Sequence, residues 1–250
     1  MFNFFADENS RRGDEYVITG GDYNHIVNVL RMKKGERLIV SDGASGDLCA
    51  VEDICDGSVT LRIIEEGYKK AELPVKIYLF QALPKSDKME LIIQKAVELG
   101  VYAIVPTQMK RCVVKLDDKK KESRRQRWQA IAESAAKQSK RNIIPEVYPV
   151  MTYGEMLKKA KELDLFLVPY ENEMGMAATK DALSRIKSGM SVGILIGSEG
   201  GFEISEIEKA QEAGGLRISL GGRILRTETA AITAVSMCML YTEMNTEAEE

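Results

Sequence analysis

The stretch Leu220–Ala231 reads LGGRILRTETAA. A glycine pair follows an apolar run and leads through Arg223, Arg226 and Glu228 into a helical pattern. An earlier stretch, Ile194–Phe202 (ILIGSEGGF), has the same form: apolar strand, glycine turn, helix start. Glycine turns let a backbone come close to a ligand. In an open parallel sheet the ligand crevice lies beyond the carboxyl ends of the strands. Two such turns on neighbouring strands would hold one small molecule from two sides.

Working outward, the chain from Val75 alternates apolar strand runs with longer helical patterns. Strands are expected at Lys76–Gln81, Ala103–Thr107, Leu165–Val168, Val192–Ile196 and Leu216–Ser219. Helices are expected at Asp87–Leu99, Ser123–Lys140, Thr152–Leu163, Ala177–Lys187, Ser205–Ala213 and Thr229–Asn245. Thr152 with Glu155, and Ser205 with Glu208, read as capping boxes. This alternation gives an α/β class: a mostly parallel sheet with helices on both faces. In Asp87–Leu99 the spacing sets Leu91, Ile92, Ile93, Ala96 and Leu99 against the sheet and leaves Lys88 on a solvated face. Trp128 reads as a packing anchor. The last helix is apolar around most of its circumference and needs burial, which a second copy of the chain would supply, so a homodimer is expected.

Residues 1–70 read differently. Gly35–Asp42, Asp47–Ile54 and Ser58–Glu65 are short β-branched runs, punctuated by Asp42-Gly43 and Asp56-Gly57. Between the first strands, Tyr23–Arg31 carries Ile26, Val27 and Leu30 at helical spacing. Strands closing on themselves would make a small barrel. Gly67–Pro74 reads as the linker between this unit and a second domain over residues 75–250.

The chain is long and apolar enough to bury a sizeable core. It shows no signal-peptide pattern and no membrane-length apolar run, so a soluble cytoplasmic protein is expected. Order is expected throughout except at Asn245–Glu250. Cys49, Cys55, Cys112 and Cys238 lack metal-ligand spacing, and His25 is the one histidine, so neither a metal site nor a disulfide framework is expected. The cysteines read as small core residues in a reducing compartment. The net charge of −3 hides a basic block: Lys110–Arg141 holds twelve Lys or Arg against four Asp or Glu. Such a block on an otherwise acidic chain is either a footprint for a polyanion or a solvated helix face. His25, a lone histidine at a helix start, has a structural and a catalytic reading, and the structural one is favoured.

The glycine turns lack the G-x-G-x-x-G of dinucleotide folds, the G-K-S/T of a P-loop and the G-x-S-x-G of a nucleophile elbow. Hydride transfer, phosphoryl transfer and serine hydrolysis therefore lose their usual signals. What stays open from the residues is a small-molecule site made of two backbone-rich turns, or two ordinary strand-to-helix turns.

The pair ILIGSEGGF and LGGRILRTETAA, in this order and at this separation, resembles the SPOUT class of methyltransferases. Within it the chain is most similar to the RsmE family, the 16S ribosomal RNA uridine-N3 methyltransferases. His25–Leu38 (HIVNVLRMKKGERL) resembles that family's motif in its PUA-like barrel. Leu83–Val101, Arg111–Lys115 (RCVVK) and Arg127–Ile131 (RWQAI) resemble its middle motifs. One departure is Ser198, where the family usually has proline, which loosens a φ restraint on the turn. The resemblance implies a trefoil knot, S-adenosyl-L-methionine as cofactor, and RNA of the small ribosomal subunit as substrate. Carried onto this chain, it places the cofactor among Pro169, Gly197, Gly200, Gly201, Leu220, Gly221, Leu225 and Thr229. Phosphate-gripping residues would be Arg11, His25, Arg31, Arg111, Lys115, Arg124 and Arg141. A SPOUT-class enzyme acting on another RNA such as transfer RNA, or a non-catalytic RNA-binding protein, are the alternatives.

Methylating uracil N3 requires loss of its proton, so the site must favour the anion. Arg226 is expected to stabilise that anion, and Glu228 to take the proton. The competing reading pairs Arg226 with Glu228 as a brace for the loop.

Overall fold

A computed structural model of the chain describes residues 1–6, 9–41, 43, 45–173 and 175–246. Internal packing divides the chain into two compact units, Met1–Glu72 with Ala136–Ile144, and Leu73–Ala135 with Pro145–Glu250. Ala136–Ile144, assigned to the second domain on sequence, thus belongs with the first unit.

The first unit is built on a six-stranded sheet. Its strands are β1 (Asn3–Phe5), β2 (Arg11–Arg12), β3 (Glu15–Thr19), β4 (Arg37–Ser41), β5 (Gly46–Cys55) and β6 (Ser58–Lys69). The order is β1-β4-β5-β6-β3-β2, with β1 parallel to β4 and every other pair antiparallel. Register shifts along the long β5–β6 pair curl the sheet. Among the described residues the hydrogen-bonded strand order runs from β1 to β2 as one curled sheet, the small β unit expected here. Asp56-Gly57 makes the two-residue hairpin turn between β5 and β6, with Gly57 at φ +83. The other expected turn includes Asp42, which lies outside the described residues, as do residues 247–250. The core packs Phe4, Tyr16, Ile26, Leu38, Val51 and Leu61 together.

Tyr23–Arg31 is helical in two pieces, α1 (Gly20–Asn24) and a π-helical turn His25–Val29. Ile26 is buried, and the segment ends at Arg31, whose φ is +54. The expected linker is not loose. β6 continues to Lys69, the Gly67 N–H donates to buried Asp47 (2.8 Å), and Glu72 is held by Arg141.

The second unit carries β7 (Lys76–Ala82), α2 (Lys88–Glu98), β8 (Ala103–Gln108), β9 (Glu146–Val147), β10 (Met151–Thr152) and α4 (Tyr153–Ala160). Then come β11 (Leu165–Pro169), α5 (Ala177–Ser184), β12 (Ser191–Ile196), α6 (Ile204–Glu212), β13 (Gly215–Ile218) and α7 (Thr227–Thr246). Between β8 and β9 runs α3 (Asp118–Ser139). All sheet pairings are parallel, in the order β10-β8-β7-β12-β11-β13, with β9 on β8. Their residues are nearly all buried, which is why they read as continuous apolar runs instead of alternating ones. The chain steps from β8 across to β11, returns to β12, and leaves again to β13. The sheet therefore reverses direction around β7, β12 and β11, where a crevice opens.

Several local expectations are corrected. α2 buries Met89, Ile92, Ile93, Ala96 and Val97, so its inner face is turned from the one expected and Leu91 stays 43% exposed. α4 has its capping box, with Thr152 N–H donating to Glu155 Oε2 (2.8 Å) and Glu155 N–H to Thr152 Oγ1 (3.3 Å). α6 starts one residue earlier than Ser205 implies, and the first-turn carboxylate is Glu206, accepting the Glu203 N–H at 2.9 Å. Cys49, Cys112 and Cys238 are buried, but Cys55 is exposed at the β5 hairpin. Trp128 is buried. α7 buries a single stripe, Thr227, Ala231, Ala234, Val235, Cys238 and Thr242. No described helix is long and apolar enough to cross a membrane.

Candidate active site

The carboxyl ends of β11, β12 and β13 open onto one cavity of about 510 Å³. Its wall comes from Pro169–Glu171 after β11, from Ile196–Glu199, Gly201 and Phe202 after β12, and from Ser219–Thr227 after β13. Gly201 and Gly221 have φ of +68 and +104, values that side-chain-bearing residues resist. A Cβ on Gly197 would sit 3.1 Å from the Phe202 ring and 3.3 Å from the Gly201 backbone. The glycines are therefore required by the turn's own closure.

Both turns are pinned. Thr227, the buried first residue of α7, donates through Oγ1 to the Gly197 carbonyl (2.7 Å) and accepts from Gln81 Nε2 on β7 (3.0 Å). The Ser198 hydroxyl, where proline was expected to restrain φ, donates to the Arg111 carbonyl (3.2 Å) and accepts the Gly200 N–H (3.4 Å). The Gly201 N–H closes the turn onto the Ser198 carbonyl at 2.9 Å. From outside, Arg111 donates to the Gly200 carbonyl (2.8 Å) and to Glu203 (2.9 Å). The serine is thus compensated by hydrogen bonds.

The charged groups sort into two sets. Arg223 and Arg226 line the cavity, are exposed, and have no ion pair among the described residues. Lys88, at the start of α2, lines the cavity too, with Nζ 3.1 Å from Glu199 and 3.3 Å from Glu228. Glu199 and then Glu228 hold the Lys88 ammonium above the ordinary lysine value. Burial would raise the Glu199 carboxyl, but backbone N–H donors including that of Lys85 (3.0 Å), together with Lys88, hold it below its usual value.

The sequence-derived cofactor residues mostly meet here. Pro169, Gly197, Gly201, Leu220, Gly221 and Leu225 line the cavity. Gly200 lies under Arg111, outside the wall. Thr229 is exposed: α7 begins at Thr227, so Thr227 and Ala230 share the inner face and Thr229 turns away. Arg226 is at the wall. Glu228 is not, and it pairs with Lys88 instead of Arg226, so the competing reading of an Arg226–Glu228 loop brace is not what the structure shows. Lys88 and Thr227 were missed. A lysine in the first turn of a helix opposes the helix dipole, and that signal was available.

The polyanion candidates divide as well. Arg141 is buried and forked onto Glu72, which also accepts the N–H groups of Asn142 (2.7 Å) and Ile143 (3.2 Å). Arg11 pairs with Glu66 and lies 3.6 Å from Asp47, and Arg111 braces the turn. Arg31, Lys115 and His25 are exposed, the last with its ring edge-to-face on Phe4, and Arg124 is half-buried. Among the described residues no cluster of His, Cys, Asp and Glu could hold a metal ion.

A family model described as the RNA methyltransferase domain matches residues 71–239, and one described as the RNA methyltransferase PUA domain matches residues 18–64. The chain is 41% identical over 252 residues to Ribosomal RNA small subunit methyltransferase E of Bacillus subtilis (strain 168), covering 98% of each. It is 33% identical to the protein of that name from Mesomycoplasma hyopneumoniae (strain 232), covering 96% of this chain and 99% of the relative. The solved structure of a Ribosomal RNA small subunit methyltransferase E from Neisseria gonorrhoeae, bound to S-adenosyl methionine, matches with a TM-score of 0.80 at 31% identity, covering 96% of this chain and 97% of that one. With both domain models and full-length relatives in agreement, the chain belongs to the ribosomal RNA small subunit methyltransferase E family.

Proposed function

We propose that this chain methylates N3 of a uridine in 16S RNA of the small ribosomal subunit, using S-adenosyl-L-methionine, in the cytoplasm. The observation that carries this is the glycine-walled cavity with Arg226, which has no ion pair among the described residues, at its rim. The volume suits a cofactor of that size, since ligand pockets span roughly 300–1,000 Å³. Glycine backbone and the apolar Leu220 and Leu225 fit an adenosine. When bound, the cofactor supplies a methyl group already activated on a sulfonium, so the chain need only position the acceptor and favour its anion.

Pro169, Gly197, Gly201, Leu220, Gly221 and Leu225 are the binding residues in this reading. Arg226 faces the acceptor base and stabilises the charge that builds on its carbonyl oxygens. The base reaches the cavity unstacked. Arg31, His25, Lys115 and Arg124 contact phosphates, which position the RNA without reading its sequence. Met1–Glu72 with Ala136–Ile144 act as the RNA-binding PUA-like domain, and Leu73–Ala135 with Pro145–Glu250 as the methyltransferase domain. The protein works as a homodimer through the exposed side of α7.

The test is mass mapping of small-subunit RNA from a strain deleted for this gene. Loss of one N3-methyluridine, restored by the wild-type gene but not by Arg226→Ala, is expected. Calorimetry on Arg226→Ala should show nearly unchanged cofactor affinity. A fully modified RNA in the deletion strain would overturn the proposal.

A further inference from the structure

Lys88 is built into the cavity wall at a place where a cation is disfavoured. It is the first residue of α2, where the helix dipole repels positive charge, and its side chain is only 29% exposed. Two carboxylates offset this. Glu199 comes from the turn after β12, and Glu228 from the first turn of α7. Three separate segments therefore converge on one ammonium. An ammonium has three N–H donors. The partners of Lys88 among the described residues are these two carboxylates, so one donor is left over at the cavity wall. Glu228 does not reach the cavity, and its Oε2 is shut from solvent with no aligned hydrogen bond of its own. That carboxylate contacts Lys88 without touching the space where an acceptor base would sit.

We propose that Lys88 is a second cation acting on the acceptor base, and that Glu228 is a positioning residue working through it. The inference rests on the methyltransferase reading above and changes the assignment of Glu228 from proton acceptor to holder of Lys88. In the step, the uridine N3–H bond breaks and its proton leaves to solvent. The negative charge left on the base spreads to its carbonyl oxygens, where the free Lys88 N–H and Arg226 donate. The N3 lone pair then forms the N–CH3 bond, while the S–CH3 pair stays on sulfur as a neutral thioether. Besides Lys88 and Glu199, the charged side chains lining this cavity are Glu171, Glu173, Arg223 and Arg226. Glu173 is engaged with Arg217 (3.3 Å).

The experiment compares wild type, Lys88→Met, Lys88→Arg and Glu228→Gln. Single-turnover methylation is followed across pH on small ribosomal subunits purified from the deletion strain, with calorimetric titration of S-adenosylmethionine alone. The rate should rise with pH until the bound uridine ionises. Lys88→Met should move that rise upward by about one unit, equal to a tenfold loss at neutral pH that alkali recovers. Glu228→Gln should show a smaller shift in the same direction, Lys88→Arg should restore most of the rate, and cofactor affinity should stay within about twofold. A Lys88→Met profile that falls uniformly without shifting, or a lost cofactor affinity with an unchanged rate, overturns the inference. Wild-type protein that fails to methylate these subunits overturns the underlying function instead.

Discussion

The hydroxyl of Thr227 donates a 2.7 Å hydrogen bond to the carbonyl of Gly197, joining the start of α7 to the turn that closes β12, thirty positions earlier. The same oxygen accepts from Gln81 on β7. One buried side chain therefore fixes both walls of the cavity to the central strands. Thr227→Val keeps the shape and removes the bonds. It leaves a buried carbonyl without that donor, at a cost of about 1–3 kcal/mol. A lower denaturant midpoint is expected, with weaker S-adenosylmethionine binding by calorimetry. A variant with wild-type midpoint and affinity would show that the turns hold themselves.

The Arg111–Glu203 pair makes the outer brace of the same turn pH-sensitive. The Arg111 guanidinium holds the Glu203 carboxyl below its ordinary value. A carboxyl depressed in the folded state contributes stability above the unfolded value and loses it as pH falls through the folded one. Both side chains are about two-fifths exposed, so the effect is small and screened by salt. Melting temperatures of wild type and Glu203→Gln should differ at pH 6 and converge below pH 4, roughly the glutamate range. A difference that persists in acid would point to packing instead.

The elements that were legible in the sequence are those whose signal is local. The longer strands of the second unit (β7, β8, β11, β12 and β13), the Thr152–Glu155 box and the two glycine turns depend on residues a few positions apart. The first-turn position of Lys88 was legible, but its pairing was not, because its partners lie 111 and 140 positions away and periodicity alone puts it on a solvated face. Thr229 and Gly200 missed the cavity because the outcome turns on a single residue of helix phase or turn register. The basic block misled at Arg141 because a count of charge does not show which guanidinium is neutralised by a distant carboxylate. The short strands β1, β2, β9 and β10 have too few residues for any pattern to register.

Within the basic block, Arg141 serves the fold. It is buried with its guanidinium on Glu72. Taking a carboxylate partner from a buried guanidinium is destabilising. Glu72→Ala also strips an acceptor from two backbone N–H groups. It should therefore lower the unfolding midpoint sharply. Arg141→Met, which fills similar space without charge, should be milder and should leave the salt dependence of RNA binding as in wild type. A reduced salt slope in Arg141→Met would return this residue to the phosphate contacts.

The uncovered side of α7 carries the last prediction. Opposite its buried stripe, Met237, Leu240 and Met244 follow one another at helical spacing, with Leu240 48% and Met244 65% exposed. The exposed Leu91 lies on α2, which packs beside α7. Apolar side chains lined up along one helix are costly in water, and an isologous twofold contact would bury them against their own copies. Sedimentation at micromolar concentration should give a dimer. Leu240→Glu should give a monomer, because two carboxylates would meet across the axis without partners. The monomer should keep its circular dichroism, since Leu240 is outside the core stripe. A wild-type monomer, or a dimer indifferent to Leu240→Glu, would leave this face to another partner and remove α7 from the dimer interface.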